Sequence, residues 1–370
     1  MYVVLYLIYS IIIEVGRRLK ILIYGEYSGY AESLRHGFKS LGHEVEVFSH
    51  GNDGFKKISP SISLKGKSFL HRLFSLYCLI PTFLKFDKIL ILNPSFFTIF
   101  KGLGMVPLFS FVLFRKDAYL LCCGDDVEYV RACRYNLLDK HMYKGVDHNN
   151  KKYFNSTLQK FVHSVCSNYA KKIIPTMYDY EAAWGTSKYS NKLTKVIPLA
   201  CKVINGKSIK STNRECINIL HGINRPSVKG TTNILSALEL IKSEYGERVA
   251  IYTPEKLPRD EYLKLFDMID INIDQCKCHA YGMNAIYALM HGQIVLSPAD
   301  EKCLESMGVS HAPIISISDS VDSIYEELKK TLDRTDTELN NLKYEGKNYA
   351  FANHDSVIIA NKLSKIIGIK

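Results

Sequence analysis

Among the 370 residues there is one tryptophan, no Gly-x-Gly-x-x-Gly run, no Cys-x-x-Cys pair, and no uninterrupted apolar stretch of the roughly 20 residues that a membrane-spanning helix needs. Each absence removes a class. Without the glycine fingerprint after the first strand, a bound dinucleotide is not expected. The ten cysteines are scattered, with only Cys122-Cys123 adjacent and Cys276 and Cys278 one residue apart, which is no disulfide framework for a chain of this length. They read as reduced thiols of a cytoplasmic protein. Cys276-Lys-Cys-His279 would be half of a zinc site, but no second ligand pair follows at a usable spacing, so no metal is expected. Helix-turn-helix, RNA-recognition and zinc-finger patterns are also missing, which argues against a nucleic-acid partner.

Acid is the scarcer charge: 37 Asp and Glu face 48 Lys and Arg, for a net charge of +11 and a pI near 9.0. In the first half Lys65, Lys67, His71, Arg72, Lys85, Arg115 and Lys116 stand beside aromatic and leucine-rich helical stretches. Such a face suits anionic lipid or a phosphorylated acceptor, and equally an ordinary solvated basic surface. Residues 1–13 are apolar but too short to span, and their arginines follow rather than precede the apolar run. Residues 1–18 therefore read as an extension from an upstream start or as a short interfacial anchor. Residues 96–114 are very apolar, yet Lys101, Gly102, Gly104 and Pro107 interrupt them and favour a buried or membrane-surface helix over a span. The expected location is cytoplasmic or peripheral at the inner face of the plasma membrane.

Length and a 47% hydrophobic content support about two domains. A buried strand at 19–24, a loop from Gly25 to Gly29, a helix at 31–41 stopped by Gly42 and a strand at 44–48 make a Rossmann-like opening. A helix at 68–79 and a strand at 88–92 follow. The strand at 119–123 ends in Cys123-Gly-Asp-Asp126, at the edge where open parallel sheets place ligands. Two adjacent acids there would bind magnesium or cap a helix. Residues 131–152 read as a polar, loop-rich excursion, 158–170 as a helix, 172–175 and 196–200 as strands, and 202–214 as a linker. The second half restarts with a strand at 217–220, the loop His221-Gly-Ile-Asn-Arg-Pro-Ser-Val-Lys-Gly230, a helix at 231–241, a strand at 250–252 and a helix at 258–265. Then comes the densest signal. Residues 271–273 are a short β-branched run, Tyr281-Gly282 a turn, 283–290 a helix and 294–296 a buried strand. The first amides of that helix lack intrahelical partners and, with the helix dipole, suit a phosphate. The same spacing fits any βαβ unit. Helices at 320–330, 336–351 and 354–366 close the chain.

Ile273-Asp-Gln, Tyr281-Gly-Met-Asn-Ala and Ala288-Leu-Met-His-Gly-Gln-Ile-Val together resemble the donor-binding segment of GT-B glycosyltransferases, the group 1, family 4-like type of bacterial polysaccharide biosynthesis. That family usually carries two glutamates eight positions apart around the glycine, and His279 and Tyr287 stand in their places here. Arg225 followed by Lys229-Gly230 matches the segment that holds the donor diphosphate. Cys123-Gly-Asp-Asp-Val resembles the family's His-Gly-x-Asp-Val loop, with Cys123 replacing the histidine. The resemblance implies an α/β GT-B fold, two Rossmann-like domains with parallel sheets facing a cleft: an acceptor-side domain at 19–201, a nucleotide-sugar domain at 215–350, and a terminal helix at 351–370 packed back on the first. It implies transfer of a sugar, with retention, from a nucleotide diphosphate-sugar co-substrate to a saccharide or lipid-linked saccharide, without a cofactor. Arg225, Lys229 and His279 would be catalytic. Gly222, Gly230, Tyr281, Gly282, Met283, Asn284 and Tyr287 would bind the donor, while Gly25, Tyr27, Ser28, Gly29, Cys123, Gly124 and Asp126 would face the acceptor. The alternatives are a degenerate GT-B protein that binds nucleotide or a partner without catalysis, and a non-transferring nucleotide-sugar epimerase.

Overall fold

The computed structural model describes residues 18–51, 60–146, 152–202, 209, 211 and 215–369. The apolar segment 1–13 and most of the linker expected at 202–214 lie outside the described residues. Six strands, β1 (Lys20–Tyr24), β2 (Glu44–Ser49), β3 (Ile62–Ser63), β4 (Lys88–Ile91), β5 (Asp117–Cys122) and β6 (Ile173–Pro175), form one sheet in the order β3-β2-β1-β4-β5-β6. Every pairing is parallel, as in Ile21 opposite Val45 and Leu22 opposite Ile89. Strands such as Lys-Ile-Leu-Ile-Tyr are apolar on both faces because helices cover both sides of a parallel sheet. The second sheet, also parallel, holds β7 (Ile217–Leu220), β8 (Val249–Tyr252), β9 (Ile271–Ile273) and β10 (Ile294–Leu296) in the order β10-β9-β7-β8. The chain reverses its direction of travel between β1 and β4 in the first sheet and between β7 and β9 in the second. Ligands of open α/β sheets bind at the carboxyl ends of such strands.

One apolar core runs from Ile21, Phe48 and Leu90 through Trp184 and Ala200 into Tyr281, Leu289 and Val295, so the two halves share buried surface. A second core, with Ile219, Ile234, Leu238 and Leu328, fills the other face of the second sheet. The helix Asp336–His354 packs on β10 and on the helix Met283–Met290, and the helix Ser356–Ile366 then crosses to lie on Tyr30–Ser40. The turn between these last two helices is pinned by Cys201, whose amide donates to the His354 carbonyl at 2.7 Å and whose carbonyl accepts from Ser356 at 3.0 Å.

Three sequence expectations change. Residues 196–200 join no sheet ladder; the Ile197 amide donates to the Pro175 carbonyl, 2.9 Å away. The apolar stretch 96–114 is broken into a 3-10 turn, Pro94–Phe97, a second one, Phe100–Met105, and the helix Val106–Leu113. The break comes at Lys101 and Gly102, both left-handed (φ 55° and 100°). The supposed loop at 131–152 begins inside a helix, Val127–Arg134, capped by the Asp126 side chain. Among the described residues no helix is long and apolar enough to cross a membrane.

Candidate functional site

A cleft opens at the carboxyl edge of the second sheet, at its point of reversal. His221 follows β7 and is fully buried, with Nδ1 2.9 Å from the Ile273 carbonyl of β9 and Nε2 3.0 Å from Thr231 Oγ1. It ties the two strands to the first turn of the helix Thr231–Tyr245. Burial, and then the nearby Lys229 charge, push its pKa down to about 4, so it is a neutral structural imidazole. Gly222 is next in the chain, and a Cβ there would lie 2.5 Å from the Tyr262 hydroxyl. No other residue fits without moving that ring.

One helix, Met283–Met290, presents its amino end to the cleft through Met283 and Asn284, and a second, Thr231–Tyr245, begins just behind Lys229. Gly230 (φ 75°) precedes Thr231–Tyr245, Gly282 precedes Met283–Met290, and neither end is capped by a side chain. Gly230 is required twice over, since a Cβ would sit 2.2 Å from Cys276 Sγ. Gly282 is not: its φ is −111° and a Cβ would meet only Asp274 Oδ2, at 3.5 Å. Between the two ends lies Lys229, whose ammonium donates to Asp274 Oδ1 at 2.8 Å while Asp274 Oδ2 accepts from the Gly282 amide at 3.3 Å. Burial works against ionisation of Asp274, but the Lys229 charge and hydrogen bond hold its pKa below the usual carboxylate range. An ammonium has three N–H donors, so Asp274 orients Lys229 and leaves two for a ligand. Met283, Asn284, Tyr287, Lys256, Tyr262 and Ser28 share the lining. Tyr262 donates to Asn284 Oδ1 at 2.9 Å, and Asn284 in turn to Asn272 Oδ1 at 2.9 Å, which fixes the floor.

The opposite wall belongs to the first sheet. Its own first helix end, Tyr30–Ser40, is already filled by an internal anion, because Glu26 accepts from the amides of Gly29 at 2.8 Å and Glu32 at 3.0 Å. That helix end therefore already has its anion. Gly25 (φ 112°) lies under the Phe96 ring, and Tyr27 covers Gly124 and reaches Ser95 Oγ at 3.3 Å. Tyr287 donates to the Ser28 carbonyl at 2.9 Å, closing the cleft on one side. On another side Arg225 crosses to Asp125, 2.7 Å away, and to the Tyr143 hydroxyl at 2.8 Å. Asp125 Oδ2 also accepts from Tyr153 at 2.7 Å and from Tyr143.

No protein-family profile and no curated protein matches this sequence. Solved structures do match the three-dimensional arrangement. Anabaena HepE, solved with UDP and glucose, has a TM-score of 0.62 at 13% identity, over 95% of this chain and 100% of that one. Sucrose-phosphate synthase from Thermosynechococcus elongatus has 0.61 at 12% identity, over 94% and 98%. An alpha-glucosyltransferase solved with UDP and a DNA 13-mer has 0.62 at 11% identity, over 95% and 100%. The fold is GT-B.

Within this GT-B frame, Gly222, Lys229, Met283, Asn284 and Tyr287 line one cleft with Ser28, while Gly230 and Gly282 stand outside the lining, Gly230 against Cys276 and Gly282 against Asp274. His279, Tyr281, Asp126 and Cys123, all sequence-derived candidates, stand elsewhere. His279 is 5% exposed, with Nδ1 2.7 Å from Asp300 and Nε2 3.1 Å from Asp139. Its amide and that of Ala280 each donate to Asp179 at 3.1 Å, so the loop that would face a donor sugar is filled by a carboxylate from the first domain. This makes His279 an interdomain tie rather than a cleft residue. Tyr281 turns into the core, its hydroxyl 2.7 Å from Tyr349 and 2.8 Å from His354. Asp126 is the buried cap of its helix and accepts from Tyr129 and from Trp184 Nε1, both at 2.8 Å, whereas Asp125 meets the cleft-crossing Arg225. Cys123 is 7% exposed and contributes its carbonyl to Asn93, at 3.1 Å.

Sequence reading missed Lys256, Tyr262, Asp274, Asp125 and Tyr143. For Lys256 a usable signal exists: Thr253-Pro-Glu-Lys256 directly follows β8, and strand carboxyl ends are where this architecture puts ligands. For Tyr143, inside an irregular polar tract, none exists.

Proposed function

We propose that this protein is a glycosyltransferase that takes a sugar from a nucleotide diphosphate-sugar held in the cleft of the second domain. The observation that carries the reading is Lys229, held by Asp274, beside the uncapped amino end of the helix Met283–Met290 on one cleft, in a GT-B fold. Bond cleavage between sugar and diphosphate builds negative charge on the leaving group. Lys229 and the backbone amides are preorganised donors that stabilise it, and Lys256 adds a second cation at the mouth. Solved neighbours carrying UDP make UDP-sugars the first donors to try. The acceptor, a saccharide or lipid-linked saccharide, would approach from Tyr27, Ser28, Gly124 and Asp125, and the family resemblance supports retention.

The test is a panel of nucleotide-sugars incubated with purified protein, reading nucleotide release and thermal stabilisation, since a ligand bound only to the folded state raises stability by mass action. Lys229→Gln should lower release by about 10²–10³-fold. Because it also orphans Asp274, the Lys229→Gln/Asp274→Asn pair serves as control and should regain stability without regaining release. Full release by the double variant would remove Lys229 from the chemistry.

A further inference from the structure

The first domain carries apolar surface that its own fold does not cover. In the helix Phe69–Phe83 only Leu76 and Phe83 are buried, while Leu70 is 72% exposed and Phe74 69%. This helix is apolar on its outer face as well as its inner one, which is unusual for a helix at a protein surface. It packs against the turn Phe100–Met105 and the helix Val106–Leu113, whose outer residues Val106, Phe109, Leu113 and the following Phe114 are exposed too, Leu113 by 76% and Phe114 by 60%. The two elements are continuous across the edge-on Phe69 and Phe100 rings, 5.3 Å apart, and the Tyr77 hydroxyl donating to the Leu103 carbonyl. Nine of the sixteen large apolar side chains exposed among the described residues fall between residues 69 and 114. Contiguous apolar area of this kind marks an interaction site.

Charge decides the partner. Between residues 60 and 116 there are eight Lys and Arg and a single acid, Asp87. Lys65 and Lys67 precede the first helix, Lys101 sits on the turn next to exposed Leu103, and Arg115 directly follows Leu113-Phe114. A protein partner or a second copy of this basic chain would have to bury or repel those cations. An anionic bilayer accepts both parts, acyl chains taking the aromatic and leucine side chains while long Lys and Arg stems lift their charges to the lipid phosphates. No described helix can span, so the contact is made in the plane of the surface. Crossover helices run antiparallel to their strands, which puts the start of Phe69–Phe83 and the Phe100–Met105 turn at the carboxyl edge of the first sheet, the edge that also carries Tyr27 and Ser95.

We infer that the face formed by Phe69–Phe83 and Phe100–Phe114 docks the protein on anionic lipid bilayers, independently of the reaction it performs. The experiment is co-sedimentation of the full chain with phosphatidylcholine vesicles, with and without phosphatidylglycerol, at low and high salt. Binding should need the anionic lipid and fall with salt, as screening shortens the reach of the cations. Phe74→Glu/Leu113→Glu should abolish it with an unchanged melting temperature, both side chains being exposed. Lys101→Gln/Arg115→Gln should weaken it by about five-fold per charge removed. Equal binding to neutral vesicles would overturn the assignment. So would undiminished binding by Phe74→Glu/Leu113→Glu, which would move the contact elsewhere in the chain. Light scattering showing a dimer that this double variant dissolves, with no vesicle binding by the wild type, would make the face a contact between copies instead.

Discussion

Asp125 and Arg225 hold opposite walls of the cleft together, and the chemistry of the pair makes it a point of competition. The Asp125 side chain is 5% exposed and Arg225 48%, so the guanidinium is the member of the pair that a ligand can reach. A donor diphosphate near Lys229 would offer Arg225 a stronger bidentate partner than one carboxylate oxygen. Asp125→Asn keeps an acceptor for Tyr143 and Tyr153 but removes the competing charge. It should tighten nucleoside diphosphate binding several-fold, about 1 kcal/mol for a charge-assisted bond regained, as read by calorimetry. Unaltered affinity would mean that Arg225 never leaves Asp125 for the ligand. In the sequence Arg225 stood out through its spacing to Lys229. Its partner did not, because Asp125 and Asp126 are adjacent and only the placement of Trp184 and Tyr129 decides which one is buried as a cap.

At the scale of elements, Gly37 shows how far local rules reach. Inside an exposed helix a glycine costs about 1 kcal/mol relative to alanine, so Gly37→Ala would ordinarily stabilise Tyr30–Ser40. Here a Cβ would lie 2.0 Å from the Ser356 carbonyl oxygen and 2.9 Å from the Ala360 methyl. The terminal helix Ser356–Ile366 rests directly on that backbone, with Ile359, Ala360 and Leu363 buried and the Ser356 hydroxyl 2.9 Å from His36 Nδ1. Gly37→Ala should therefore destabilise by about 1–3 kcal/mol through overpacking, measured by chemical denaturation. A gain in stability would show that the terminal helix yields easily. Both helices were readable from periodicity and stops. Their contact, between segments more than 300 residues apart, was implied only by the family resemblance, which packs the terminal helix back on the first domain, since helical spacing states which face is apolar but not what meets it.

Across the whole molecule, buried histidines set the response to acid. Burial lowers His354 to about 4, with its Nδ1 2.8 Å from the Leu199 carbonyl and Nε2 accepting from Tyr281, and His221 is likewise near 4. In the unfolded chain both titrate near 6.5. Between those values the unfolded state takes up protons that the folded state does not, so their contribution is complete above pH 6.5 and is lost as pH falls toward 4. The ceiling is about 3 kcal/mol for each histidine. Urea midpoints at pH 7.5 and 5 should drop in the wild type, and His354→Gln should remove part of that drop. A flat profile would place these imidazoles in contact with solvent.

Local order was decided by the sequence. Apolar β-branched runs bounded by glycine turns specify buried parallel strands whatever surrounds them, and the Arg225-to-Gly230 and Gly282-to-Leu296 segments carry their backbone geometry in their own residues. From them the α/β class and the position of the candidate cleft followed. Side-chain destination was decided only by the tertiary structure. His279, Tyr281 and Tyr287 lie within nine residues on one strand–turn–helix segment, yet the first is locked by Asp139 and Asp300, the second faces Tyr349 and His354, and the third reaches Ser28. Each partner comes from a distant part of the chain. A polar side chain near a turn is committed by whichever donor or acceptor the fold brings within hydrogen-bond distance, and spacing along the chain does not encode that partner.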